Sequence, residues 1–115
     1  MNSKQENIIK NLIENSNKIN SRVFNLNRYM ILALTFYIKD GLQFRELKAL
    51  LNVSDGKLQS DLDNLKEMGY IQKIKVDLDN KKVTIYMITD SGKNEIEKII
   101  SWANIIKKMS GVRNV

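Results

Sequence analysis

The chain has 115 residues, a formal net charge of +6, no cysteine and no histidine. That length fits one domain, 1–115, with a core of its own. The missing residue types remove disulfides, thiolate metal sites, the commonest metal ligand and the commonest general base near neutral pH, while the lysine excess favours a polyanionic partner.

The N-terminal stretch MNSKQENIIKNLIEN is polar and has no continuous apolar core of the kind a signal peptide needs. Residues 4–19 place Ile8, Ile9, Leu12, Ile13 and Ile19 on one stripe, which predicts an amphipathic helix within an N-terminal segment, 1–25. A second helix is predicted over 26–39, with Leu26, Met30, Ala33, Leu34 and Tyr37 on its inward side. Further apolar residues at Ile31, Leu32, Phe36 and Ile38 point to burial on more than one side. Asp40 and Gly41 are read as its end, with Gly41 suited to a left-handed cap. The apolar run 30–38 is far short of the roughly 20 residues a membrane span requires, so the expectation is a soluble, cytoplasmic protein with no membrane partner.

FRELKALL, 44–51, predicts a short helix, followed by a turn at Asn52, Val53 and Ser54. Ser54 or Asp55 can cap the next helix, which runs to about Met68 with Leu58, Leu62 and Leu65 inward and Gly69 as terminator. Ile71, Ile74 and Val76 mark an imperfect strand. DLDNKK, 77–82, reads as a polar turn, and VTIYMIT, 83–89, as the partner strand. Thr89, Asp90 or Ser91 can cap a last helix over roughly 91–110. The order is four helices, a hairpin and a helix. That predicts a mainly α fold with a small β-hairpin: a winged helix-turn-helix over 26–89, with extra N- and C-terminal helices.

The run FRELKALLNVSDGKLQSDLDNLKEMGYI, followed by VTIYMITDSGK, resembles the small prokaryotic winged-helix transcription regulators of the MarR/ArsR-like group, archaeal and bacterial alike. The resemblance covers roughly 26–93. It rests on paired leucines closing a short helix, a Ser-Asp-Gly turn, a leucine-spaced helix ending in Leu-x-x-x-Gly-Tyr-Ile, and Thr84, Tyr86, Thr89 and Gly92 in and after the second wing strand. It implies sequence-directed binding of double-stranded DNA by a homodimer. The helix from Ser54 would enter the major groove and the hairpin would lie on the backbone. Two departures stand out. Ser60, Asp61 and Asp63 occupy positions that are usually basic in the group, and the wing tip is Asp77-Leu78-Asp79-Asn80 before Lys81 and Lys82.

Residues 53–69 hold two lysines against four acids, a net −2, while each flanking segment is net positive. At about 100° per residue, with Leu58 at 0°, Ser60 falls near 200°, Asp63 near 140°, Asn64 near 240°, Lys57 near 260° and Gln59 near 100°. Asp61, near 300°, lies at the core edge. The other acids suit capping or a solvated face, and Asp63 is the one that opposes phosphates. The candidate groove residues are Ser54, Lys57, Gln59, Ser60 and Asn64. The candidate phosphate contacts are Arg45, Lys48, Lys73, Lys75, Lys81 and Lys82. For each of these, plain solvation is the competing explanation.

The last helix forms a C-terminal dimerisation segment, 90–115, with Ile96, Ile99, Ala103 and Ile106 at alternating spacings of three and four. Trp102, Ile105 and Met109 widen that face beyond what one neighbour would cover. Together with Ile8 and Leu12 these residues, Ile105 apart, are the candidate dimer interface. The competing arrangement packs the two terminal helices on each other within one chain. Against the regulator stands a second class of function, a protein-interaction module whose acidic helix docks a basic partner. No nucleophile–base pair, metal cluster or cofactor motif supports an enzyme, and no motif marks a pocket for a small-molecule effector.

Overall fold

The computed structural model describes residues 1–113. Helix α1, Ser3–Ser16, opens on a capping box: Asn2 Oδ1 accepts from the Gln5 N–H at 2.9 Å and Gln5 Oε1 accepts from the Asn2 N–H at 3.1 Å. Helix α2 spans Leu26–Tyr37, α3 Phe44–Leu51 and α4 Asp55–Glu67. Strands β1, Ile71–Leu78, and β2, Lys81–Ile88, form one antiparallel hairpin, and α5 spans Asp90–Arg113. The fold is mainly α with a two-stranded wing, a winged helix-turn-helix with a helix added at each end.

The head has a continuous apolar centre. Val23, Ile31, Leu32, Leu47, Leu58, Leu62 and Leu65 are fully buried, and Ile71, Tyr86, Ile96 and Ile99 close around them. Each large aliphatic side chain removed from water contributes about 1.5–3 kcal/mol, so three leucines spaced along α4 suffice to dock it. Helix α4 ends in a Schellman arrangement. Gly69 takes φ +80°, its N–H reaches the Lys66 carbonyl, and the Tyr70 N–H reaches that of Leu65, both at 3.0 Å. The chain then enters β1 directly.

Three expectations change. The inward side of α2 is formed by Ile31, Leu32 and Thr35, while Leu26, Met30 and Tyr37 are exposed. Two apolar stripes share that helix, and the wider head core covers the one that faces α4 and α5. Helix α2 also stops at Tyr37, before Asp40. Gly41 has a left-handed φ of +91°, but it serves the turn into Leu42, whose N–H and carbonyl pair with Tyr86 at 3.0 and 2.8 Å. The polar run 77–82 is mostly strand: the ladder continues to Leu78 opposite Lys81, and only Asp79 and Asn80 turn, both at positive φ. That two-residue geometry matches the twist of a tight hairpin, and Asp and Asn tolerate it better than most residues.

Helix α5 joins the head to α1. Ile96 and Ile99 are 2 % and 3 % exposed within one chain and Ile105 is also buried, so these three belong to its own core and offer no face to a second copy. Near its N-terminus the buried Glu95 accepts from the Asn20 backbone N–H at 2.8 Å, from the Tyr70 hydroxyl at 3.3 Å and from Lys98 at 3.4 Å. This carboxylate ties the α1–α2 connection and the start of β1 to α5. Beyond the head, α1 and α5 run together as an arm. The molecule measures 63 × 24 × 24 Å with a radius of gyration of 17.5 Å, against about 13 Å for a compact chain of this length. Among the described residues no helix is long and apolar enough to cross a membrane.

Candidate nucleic-acid interface

Helices α3 and α4 meet through the three-residue turn Asn52-Val53-Ser54. Asn52 closes α3 in the left-handed region at φ +53°, and Ser54 Oγ accepts from the Lys57 N–H at 3.1 Å, starting α4. With Leu58, Leu62 and Leu65 docked, the opposite arc of α4 carries Gly56, Ser60, Asp63 and Glu67, all exposed. Gly56 is required neither by conformation nor by packing: its φ is not left-handed, and nothing lies within 4 Å of a Cβ built on it.

The acids of this segment are mostly partnered. Asp61, set at the core edge by its helical angle, is 1 % exposed. It accepts from Asn27 Nδ2 and, at 3.0 Å, from Arg28 Nε on α2, and Lys57 Nζ lies 3.1 Å away on its own helix. Burial alone would raise the Asp61 pKa, but the hydrogen bonds from Asn27, Lys57 and Arg28 outweigh it and hold the carboxyl below its ordinary 3.8. Asp55 pairs with Lys48 of α3 at 2.6 Å, an ion pair that bridges the two helices of the motif across its outer surface. Gln59 Nε2 donates to Asp63 Oδ1 at 2.9 Å, one turn apart on the exposed side. Asn64 Nδ2 donates to the Ser60 carbonyl at 2.8 Å.

Of the candidate residues, Ser54, Lys57, Gln59 and Ser60 are exposed and Asn64 is half-buried. Two cations expected to be available are engaged within the chain, Lys48 by Asp55 and Lys57 by Asp61. Arg45 is exposed on α3. In the wing, Lys73 stands opposite Tyr86, Lys75 opposite Thr84 and Lys82 opposite Asp77. Strand alternation places Lys73, Lys75 and Lys82 on one face. That face is turned toward α4, because Tyr86, which it carries, is buried in one core cluster with Leu58, Leu62 and Leu65; that burial pushes the Tyr86 phenol pKa up. Lys81, opposite Leu78, lies on the other face with Val76 and Val83. The hairpin therefore separates Lys81 from Lys82, which the sequence had grouped.

Asn27, Arg28 and Gly56 are absent from the sequence-based set. The spacing of Arg28 from Asp61 carries no local signal. Gly56 was legible as part of a turn motif but not as a residue the fold leaves free.

On the arm, Ile106 of the candidate dimer residues is 43 % exposed, and Ala103 is also exposed. Ile8, Leu12, Trp102 and Met109 are half-buried. Trp102 packs edge-on against Phe24, ring centres 5.3 Å apart, and its indole N–H has no hydrogen-bond partner. Both rings line an apolar pocket of about 350 Å³ between the start of α2 and α5, with Leu26, Tyr29, Ile99 and Ala103. Among the described residues no group of three or more carboxylates, histidines or cysteines could hold a metal ion.

Among solved structures, the MepR–DNA complex of S. aureus superposes with a TM-score of 0.66 at 16 % identity, covering 96 % of this chain and 85 % of that one. A transcriptional regulator of Thermotoga maritima superposes at 0.65 with 22 % identity, over 96 % and 80 %. At these identities the likeness concerns the fold. In sequence, an uncharacterised protein of Methanocaldococcus jannaschii is 33 % identical over 91 residues, 75 % of this chain and 98 % of that protein. The family model described as a winged helix DNA-binding domain matches residues 28–106, from the start of α2 to well along α5. The chain belongs to the winged helix DNA-binding domain family.

Proposed function

We propose that the protein is a transcription regulator that binds double-stranded DNA sequence-specifically as a homodimer. Helix α4 lies in the major groove and the wing along the backbone. The observation that carries this reading is the placement of α4. Its leucine face is fully buried, its opposite arc is exposed, and the hairpin turns Lys73, Lys75 and Lys82 toward the same side. The family membership and the superposition on MepR, a structure determined with DNA, support it. Phosphate contacts fall to Arg45, Lys73, Lys75 and Lys82. Lys48 and Lys57 reach DNA only by exchanging Asp55 and Asp61 for phosphate.

The dimer rests on the arm. Ile13 of α1 and Ile100 and Ile106 of α5 are 55, 41 and 43 % exposed on an elongated, otherwise uncovered helix pair. A second copy buries such a face by two-fold symmetry and sets two α4 helices at adjacent turns of a palindromic site. The experiment is selection of bound duplexes from a random pool, with the consensus inspected for two-fold symmetry.

One observation favours a different class: the acids engage the cations of the motif in the free protein. A module that docks a basic protein through α4 would share that feature. It would show no affinity for any duplex at low salt.

A further inference from the structure

We propose that Asp63, held by Gln59, is the principal base-reading residue of α4 and that it selects the exocyclic amino group of cytosine. This rests on the DNA-binding reading above and goes on to name what that surface reads.

The argument is an inventory of donors and acceptors on the exposed arc. Helix α4 contains no arginine, the residue that most often reads guanine. Its two lysines are Lys57 and Lys66. Lys57 is engaged by buried Asp61 at 3.1 Å, and Lys66, at about 80° from Leu58, lies off the outward arc centred near 180°. The amide of Asn64, half-buried, spends one N–H on the Ser60 carbonyl. The amide of Gln59 donates one N–H to Asp63 Oδ1, leaving Asp63 Oδ2 as a carboxylate acceptor. The charged side chains of the outward arc, Asp63 and Glu67, are thus both acceptors, with no cation between them on that arc.

Major-groove edges supply only two kinds of amino donor, N4 of cytosine and N6 of adenine. Guanine meets a carboxylate with two acceptors, and thymine with a carbonyl and a methyl. Adenine offers its N6 donor beside the N7 lone pair, which repels the second carboxylate oxygen. Cytosine alone presents an amino group with no neighbouring acceptor on its own edge. The Gln59 hydrogen bond supplies the remaining requirement. It fixes the carboxylate before DNA arrives and disperses part of its charge, so less ordering and less phosphate repulsion fall on the binding step.

Three proteins answer the question: the parent, Asp63→Ala and Gln59→Ala. Each is used to select duplexes from a random pool, and the affinity of each is then measured for the parent's consensus and its single-base variants at low salt. The expected parent consensus contains one cytosine per half-site whose replacement weakens binding about 5- to 150-fold. Asp63→Ala should bind random duplex at least as well as the parent and lose the preference at that one position, keeping the others. Gln59→Ala should keep cytosine at that position with a smaller preference. Unchanged preference at every position in Asp63→Ala overturns the proposal while leaving DNA binding intact. Absence of binding to any duplex by the parent overturns both this and the function on which it rests.

Discussion

Arg28 on α2 donates through Nε to Oδ1 of Asp61 on α4 at 3.0 Å, and the carboxylate it holds is almost wholly removed from water. With Asn27 and Lys57 completing the set, this carboxylate fixes α4 against α2. The acid whose helical angle sets it at the core edge is therefore part of what holds α4 in place.

Asp61→Asn should destabilise the fold by about 2 kcal/mol. Breaking a buried pair costs roughly 3–5 kcal/mol, but Arg28 and Lys57 are partly exposed and can rehydrate. The acid limb follows from the depressed pKa. Asp61 titrates below 3.8 in the folded protein, so the unfolded chain takes up the proton first as pH falls. The stability this group supplies is present above the unfolded value and is lost as pH drops through the folded one. Urea unfolding from pH 7 to pH 2 should show the gap between parent and Asp61→Asn closing at the acid end. A gap that stays constant would mean the carboxylate charge is not what stabilises the parent.

Gly56→Ala should move stability and DNA affinity in opposite directions. The open space around a Cβ there, together with the lower helix propensity of glycine, predicts stabilisation by up to about 1 kcal/mol. On the arc proposed to face the groove, the added methyl should weaken duplex binding several-fold. Thermal melts and DNA titration on one preparation settle it, and equal or tighter binding would remove Gly56 from the contact surface.

In the wing, Lys73→Ala and Lys75→Ala should each lower affinity for all sequences and reduce the salt slope by about 1. Lys81→Ala, on the other face of the hairpin, should leave both within error. A larger loss from Lys81 than from Lys75 would turn the wing over.

The two isoleucines expected at the dimer contact should behave differently. Ile99→Asp introduces a charge into the head core and should unfold the chain. Ile106→Asp, on the exposed arm, should leave it folded and monomeric. Sedimentation at micromolar concentration with circular dichroism reads both. A parent protein that is itself monomeric there would dispose of the dimer.

What was legible in the sequence was local. Ser54 as a cap, Gly69 as a stop and the Leu58, Leu62 and Leu65 repeat each act within a few residues, and together they place α4 correctly. The inward face of α2 was not legible, because Leu26 and Met30 are as apolar as Ile31 and Leu32, and only the tertiary arrangement chooses between the stripes. The wing register was hidden because Asp77 and Lys82 look like turn residues until they are paired across the ladder. Two partners of Asp61, Asn27 and Arg28, come from α2, more than 30 residues away in sequence, and no periodicity announces them. The pair Lys57 and Asp61, by contrast, stands at the four-residue spacing of a helix and was open to sequence reasoning.

The central claim is that α4 and the wing bind duplex DNA, and the salt dependence of that binding tests it most directly. The parent protein is titrated with random-sequence duplex at about 50 and 200 mM salt. Contacts from Arg45, Lys73, Lys75 and Lys82 of two protomers should make affinity fall on the order of a thousand-fold or more between the two conditions. No detectable binding at the lower salt, or binding that salt leaves unchanged, would contradict the account.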